Sequence, residues 1–235
     1  MAKVKSFVIV LTDNKESTDA ASKLILSSRL VKNKFNIETF DAITPERVDN
    51  EMILEDITWN YPWDESKLCL RSGLYKHPYK TEEPKKRIAC FLSHYKLWKH
   101  CVEINTPIII LEDDAIFTEQ LNLKMLTESR FQCISINDPR GATRRSQMYH
   151  SILQNQQGYV LPVPSIDKDA VPQGLPGHSA YYIKPSLARM MLDLVREFGA
   201  WPNDAIMCRQ LLPNRLGCIR EYSTRVQGTV STTTT

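Results

Sequence analysis

The chain is poor in glycine, with eight in 235 residues, and it has neither a Gly-rich dinucleotide fingerprint nor a Walker loop. Glycine lets backbone amides close around a phosphate, so any phosphate ligand here must be held another way, with metal plus carboxylate the obvious candidate. There is no Cys-x-x-Cys pair and no His at zinc-finger spacing. The six dispersed cysteines (Cys69, Cys90, Cys101, Cys133, Cys208 and Cys218) read as reduced core thiols. No segment approaches the roughly 20 apolar residues needed to cross a bilayer. Met1-Ala2-Lys3-Val4-Lys5 leads into an apolar run, Phe7 to Leu11, that is shorter than a signal-peptide core and lacks a small-residue cleavage site, so a soluble, cytoplasmic chain is expected. Charge of one sign is not in excess either: 30 Lys plus Arg against 27 Asp plus Glu leave a net +3, which does not announce a nucleic-acid binder. No internal repeat is present.

What is there is a hydrophobic content of 42%, enough for a proper core, and a preference for one compact domain over 1–235. Phe7 to Leu11 reads as a central parallel strand. Ser17 is expected to cap a helix running to Val31, with Ala20, Ala21, Leu24, Ile25 and Leu30 as its apolar stripe, and Phe35 to Phe40 supplies the next strand. Over 44–86 periodicity fades while prolines and aromatics accumulate, which predicts an irregular excursion with one short helix. Arg87 to Val102 is the clearest helix, because Ile88, Phe91, Leu92, Tyr95, Trp98 and Val102 recur at three- and four-residue steps. A helical pattern covers Thr118 to Leu126 and a strand Phe131 to Ile136. Long polar loops, broken by proline, fill 137–177. Ser179 to Ile183 is a strand, Pro185 to Phe198 a helix, Asp204 to Leu212 a short helix, and 229–235 a frayed Thr-rich tail. Strands alternating with helices predict a three-layer α/β/α sandwich around a mostly parallel sheet.

The most informative stretch is Ile108-Ile109-Ile110-Leu111-Glu112-Asp113-Asp114, an apolar run too short for a helix that ends in three adjacent carboxylates. A buried strand that delivers acidic side chains to its carboxyl end builds a cation and nucleotide site in many α/β folds, since ligands sit beyond the strand ends. The plain structural alternative is that these are polar loop residues or anions at a helix start. Adjacent residues on an extended chain point opposite ways, so Glu112 and Asp114 are expected to face one side together.

Three blocks then carry a resemblance. Ile88-Ala89-Cys90-Phe91-Leu92-Ser93-His94-Tyr95-Lys96-Leu97-Trp98 is similar to a helix with a Cys-x-x-Ser-His core. Ile110-Leu111-Glu112-Asp113-Asp114-Ala115 looks like an acidic strand end. Gly177-His178-Ser179-Ala180-Tyr181-Tyr182-Ile183, with Pro202-Asn203-Asp204 about twenty residues on, resembles a Gly-Thr/Ser-x-Ala-Tyr strand and a later Asp. In order and spacing they resemble the family 25 glycosyltransferases, which include bacterial lipooligosaccharide galactosyltransferases and collagen galactosyltransferase domains. The likeness runs from the first strand to Asp204 and is thin over 44–86 and 138–173.

The resemblance implies a GT-A fold, a nucleotide-diphosphate sugar donor, commonly a UDP-sugar, and a divalent cation, Mn2+ or Mg2+. A leaving nucleoside diphosphate accumulates negative charge that a hard cation held by oxygens neutralises. Asp114 is the first choice of metal ligand, with Glu112 as second metal or ribose contact, and Asp113, His94 and Thr12 join Glu112 as donor-binding candidates. An inverting enzyme needs a carboxylate to take the acceptor proton, and Asp204 is the candidate base, its alternative being the N-cap of the 205–212 helix. His94 lies beside an apolar stripe, where a role in the core, or in holding another ligand in place, competes with ligation. His178 stands where the pattern has a small hydroxyl residue, which Ser179 can supply; both are acceptor-binding candidates, as are Trp63 and Arg144.

The acceptor stays open between two classes. The basic clusters Lys85-Lys86-Arg87 and Arg140, Arg144, Arg145 fit a solvated face, or an anionic glycan such as phosphorylated lipooligosaccharide core. They also fit DNA, with a sugar moved to a hydroxymethylated pyrimidine as in certain bacteriophage enzymes, and a flipped base stacked on Trp59, Tyr61, Trp63 or Tyr149. A catalytically silent sugar-nucleotide binder is the third reading. Three clustered, mutually repelling carboxylates argue against it.

Overall fold

A computed structural model describes residues 4–79, 81–141, 145–175 and 177–228. Its frame is a seven-stranded sheet of order β2-β1-β5-β9-β7-β10-β8, made of β1 (Lys5–Val10), β2 (Ile37–Asp41), β5 (Ile108–Glu112), β7 (Cys133–Ser135), β8 (Val160–Pro162), β9 (Ala180–Ile183) and β10 (Leu216–Ile219). Five strands share one direction, and β9 and β8 oppose them. The direction is therefore mostly common, although half of the pairings are antiparallel.

The three layers follow from alternation along the strands, where successive side chains face opposite sides. Phe7, Ile108, Ile110, Tyr181 and Ile183 face one core with helices α3 (Pro84–Glu103) and α6 (Pro185–Phe198). Val8, Val10, Ile109, Leu111, Ala180 and Tyr182 face the other, with α1 (Lys15–Leu30) and α4 (Leu123–Glu128). Ile108 through Leu111 are wholly buried, as a central strand covered on both faces requires.

Several boundaries differ from the sequence expectation. The cap of α1 is Asn14, whose side chain accepts from the Ser17 backbone N–H at 3.0 Å. Ser17 lies inside the helix, where its Oγ accepts from the Leu11 amide and donates to Asp113. The Thr118 to Leu126 pattern is helical only at its end: α4 starts at Leu123, and the preceding β6 (Ala115–Phe117) pairs with β11 (Thr224–Val226) instead. The excursion 44–86 is more ordered than its composition suggests, holding a 3-10 turn (Pro45–Arg47), α2 (Val48–Leu54) and a hairpin of β3 (Lys67–Cys69) and β4 (Leu74–Lys76). The 137–177 loops contain α5 (Ser146–Gln154) and β8. Neither β10 nor β11 was anticipated. The tail 229–235 and Arg144 lie outside the described residues.

Two glycines tie the excursions to the core. Gly199 ends α6 with φ +76, and a Cβ there would meet Asn60 at 2.7 Å, where the backbones of 58–60 and 200 pair. A Cβ on Gly174 would meet the Asp204 carbonyl at 2.4 Å and that of Met207 at 2.9 Å. Gly174→Ala is therefore expected to push the 203–207 turn outward, at a cost of about 1–3 kcal/mol, with a fall in activity larger than the stability loss explains. Thermal denaturation beside kcat of the same preparation checks this, and a wild-type kcat would show that the turn tolerates displacement.

Candidate active site

The apolar residues of β5 carry the chain through the sheet, and the acidic residues emerge where the sheet ends. Because β9 runs antiparallel to β5, its start lies beside the end of β5, and the Glu112 amide donates to the Ser179 carbonyl at 2.8 Å. His178 and Ser179 are thereby brought to the carboxylates. From the first core, α3 presents His94, fully buried, whose Nε2 lies 3.1 Å from Glu112 Oε1 and whose Nδ1 lies 2.9 Å from the Tyr181 hydroxyl. The Trp98 indole N–H donates to that same hydroxyl at 2.9 Å.

Each carboxylate has its own surroundings. Burial pushes Glu112 up, but the hydrogen bond and charge of His94, with His178 and Ser179, outweigh it and hold the carboxyl below its usual range. Asp113 turns toward α1 and accepts from Ser17, yet burial still raises it. Asp114 is pushed up to about 7 by burial and then by the charges of Glu112 and Asp113, with the Ser179 hydroxyl acting against them. Glu112 and Asp114 are thus both influenced by the Ser179 hydroxyl while Asp113 faces α1, although Asp113 and Asp114 form a turn after β5 and not the extended chain on which the expected alternation rested. The acidic turn is stapled by Gln227, whose backbone N–H donates to the Asp114 carbonyl at 2.7 Å and whose side chain donates to the Asp113 and Ala115 carbonyls at 3.0 Å.

Asp204 approaches from the other side. Helix α7 (Asn203–Ile206) is a single turn with Pro202 at its N-cap position, so Asp204 sits inside it and is not its cap, and the expected helix to Leu212 does not form. Asp204 Oδ2 accepts from the Tyr79 hydroxyl at 3.4 Å, and its buried Oδ1 has no partner among the described residues. Burial raises this carboxyl, the nearby Arg87 charge opposes the rise, and Glu112 adds to it. The Arg87 guanidinium lies 3.8 Å over the Tyr79 ring, with Nε and Nη2 buried and unpaired. Cys90, one turn below His94 on α3, is pushed up by burial and by the charge of Glu112, with Arg87 acting against them and Asp204 and Asp114 adding to the rise. His178 is 7% exposed with neither ring nitrogen partnered among the described residues, and burial and then His94 push it down to about 3.

Beside this cluster, at the carboxyl ends of β1 and β5, a cavity of about 110 Å³ has apolar walls of Ile9, Leu11, Ala42 and Ile43 and a polar side of Cys90, His94, Glu112 and Asp113. Thr12 stands exposed just past β1, donating to Asp41 at 2.8 Å. Trp63 stacks on Trp59 with ring centroids 5.1 Å apart, and Trp59 packs edge-on against Phe91 at 6.0 Å, which anchors the excursion to α3. Tyr149 is a core residue of α5 and not an exposed stacking surface.

The structure thus brings together Glu112, Asp114, Asp204, His94, His178 and Ser179 from four separate segments. Sequence reasoning missed Tyr79, the individual part of Arg87, Cys90 and the Gln227 staple. Only Cys90 had a local signal, its four-residue spacing from His94 on one helix face.

The profile of glycosyltransferase family 25 (LPS biosynthesis protein) matches residues 4–207, so the chain belongs to that family and is an enzyme, a glycosyltransferase. Among solved structures, an active-site mutant of LgtC is similar with TM-score 0.46 and 8% identity, over 96% of this chain and 88% of that one. Mouse xyloside xylosyltransferase 1, in its apo form, is similar with TM-score 0.44 and 10% identity, over 91% and 84%. No curated protein sequence matches the chain significantly.

Proposed function

We propose that the chain moves a sugar, with inversion, from a nucleotide-diphosphate donor such as a UDP-sugar to an acceptor hydroxyl, assisted by a divalent cation, Mn2+ or Mg2+. The observation that carries this reading is a pair of buried carboxylate oxygens, Asp114 Oδ1 and Asp204 Oδ1, that have no partner among the described residues and lie within electrostatic reach of Glu112. A buried carboxylate left unpaired is costly, and a ligand that completes it offsets that cost.

The residues fit a cation. Asp114 offers its unpartnered oxygen and Glu112 the second carboxylate. When bound, a divalent cation neutralises charge on the departing diphosphate. The remaining steps belong to the chain. Asp204 takes the proton of the acceptor hydroxyl on Oδ1 while Tyr79 holds Oδ2. The acceptor oxygen forms a bond to the anomeric carbon, and the bond from that carbon to the diphosphate breaks, the electron pair leaving with phosphate. Burial makes Asp204 a stronger base than an exposed aspartate, which suits a general base acting near neutral pH. His94 orients Glu112, and Tyr181 with Trp98 orients His94. The apolar-walled cavity suits donor binding, with Asp113 and Thr12 at its margin, while His178, Ser179, Trp63 and Arg144 remain the acceptor-side candidates.

A glycan acceptor such as lipooligosaccharide core accords with the family's description. No helix among the described residues is long and apolar enough to cross a membrane, and a cytoplasmic enzyme meeting a membrane through its substrate is the location this reading implies. For DNA, no specific observation adds support: Arg140 is engaged by Asp138 at 2.7 Å and Arg145 by Asp167 at 2.8 Å. The test is a panel of nucleotide-sugars offered with a truncated lipooligosaccharide or hydroxymethylcytosine DNA, read by mass with and without chelator. Chelator-sensitive transfer from a UDP-sugar to the saccharide is expected. Transfer to DNA alone, collapsing steeply with salt, overturns the glycan assignment.

A further inference from the structure

We propose that Cys90, His94 and Glu112, with His178 beside them, form a binding site for one Zn2+ ion. The Cys90 sulfur, a His94 ring nitrogen and a Glu112 carboxylate oxygen all lie within 4.8 Å of one another, close enough for one ion to touch all three. Cys90 and His94 stand four residues apart on α3, so one helix face presents both, while Glu112 arrives from the end of β5. Sulfur, nitrogen and oxygen donors together suit a borderline cation that takes four ligands, and they suit Mn2+ or Mg2+ poorly, since those prefer oxygen alone.

An independent observation points the same way. His178 is 7% exposed, neither of its ring nitrogens has a hydrogen-bond partner among the described residues, and it lies within electrostatic reach of both His94 and Glu112. A buried imidazole with both nitrogens idle is costly unless something is to be bound. It lies outside the group of three donors that stand within 4.8 Å of one another, and by turning toward them it can take the fourth position that three ligands leave open.

The surroundings already hold the site in shape. A carboxylate can only accept, so the neutral His94 ring carries its proton on Nε2 toward Glu112, and Nδ1 accepts from the Tyr181 hydroxyl. On metal binding the imidazole proton transfers to Nδ1, where Tyr181 Oη accepts it, the hydrogen-bonded orientation that metal-ligating histidines commonly have. The Cys90 thiol gives its proton to solvent as the sulfur–zinc bond forms, so one proton is released per ion. Zinc shares Glu112 with the hard-cation site proposed at Asp114, and the two ions compete. The inference rests on the donor atoms and not on the transferase reading, and its readout is metal content, so either can fail alone.

The test loads chelator-stripped full chain with Zn2+ alone and measures bound metal by mass spectrometry. Co2+ alone in a parallel sample reports sulfur ligation through its thiolate charge-transfer absorption. One equivalent of zinc and a clear cobalt–thiolate band are expected for the wild type. Cys90→Ser should abolish the band and weaken zinc binding by more than about tenfold, and His94→Ala should weaken it similarly, with circular dichroism confirming that each variant folds. Asp114→Asn should keep both the zinc and the band. Absence of the band in the wild type, its persistence in Cys90→Ser, or zinc lost in Asp114→Asn but kept in Cys90→Ser each overturns the proposal.

Discussion

Asp204→Asn is expected to lower kcat by roughly 10²–10⁴-fold, the range for loss of a positioned general base, while the protein stays folded. The side chains are nearly the same size, and an asparagine carbonyl oxygen can still accept from Tyr79 at the position of Oδ2. What disappears is the proton acceptor at the unpartnered Oδ1. The pH profile provides a second reading of the same group. Burial raises the Asp204 carboxyl, and only its ionised form accepts a proton, so wild-type activity should fall as pH drops through a value above the ordinary aspartate range. The residual activity of the variant should lack that acid limb. Steady-state kinetics from pH 4 to 9, beside melting curves, decide the matter; a kcat within twofold of wild type would assign Asp204 to structure.

Asp114→Asn should produce two large effects of opposite kind. Turnover that depends on added Mn2+ is expected to fall by about 100-fold or more, because the oxygen left unpaired for a cation is replaced by a neutral amide. Stability should rise. Asp114 has its carboxyl raised to about 7, first by burial and then by Glu112 and Asp113, from 3.8 in the unfolded chain. The folded protein therefore binds this proton more tightly than the unfolded one, so the stabilisation present below the unfolded value is lost as pH climbs through about 7. At pH 8 in chelator the asparagine variant should be more stable than wild type by on the order of 2–4 kcal/mol, and at pH 4 nearly equal to it. Urea unfolding at the two pH values measures the difference, and equal stability at pH 8 would mean that the site does not strain this carboxylate.

Legibility from sequence tracked the reach of the signal. The helices α3 and α6 and the strands β1, β5 and β9 were apparent because each buries a long or fully apolar stretch whose period is visible in a short window. Strands β8 and β11, three residues each, carry almost no periodic signal of their own, and β11 exists because β6 offers it a partner. The excursion 44–86 looked irregular because its order comes from distant partners: Trp59 bridges to Ala200, and the Asn60 side chain donates to the Phe198 carbonyl at 2.8 Å. Asn14 and Ser17 show the same limit at one helix end. Both residues suit a cap, and the choice between them was made by Asp113, which takes the Ser17 hydroxyl from across the fold.

By itself the sequence determined the α/β class, the acidic strand end at Glu112 to Asp114 and the family blocks, since strand alternation and motif spacing are local properties that any window of the chain displays. Only the tertiary structure decided which atoms of those blocks are spoken for: Glu112 held by His94, Asp113 by Ser17 and Asp204 Oδ2 by Tyr79, with Asp114 Oδ1, Asp204 Oδ1 and both His178 ring nitrogens left without partners among the described residues. The physical reason is that burial and pairing are set by neighbours far along the chain, 125 residues apart for Tyr79 and Asp204, and such neighbours are fixed only when the sheet closes.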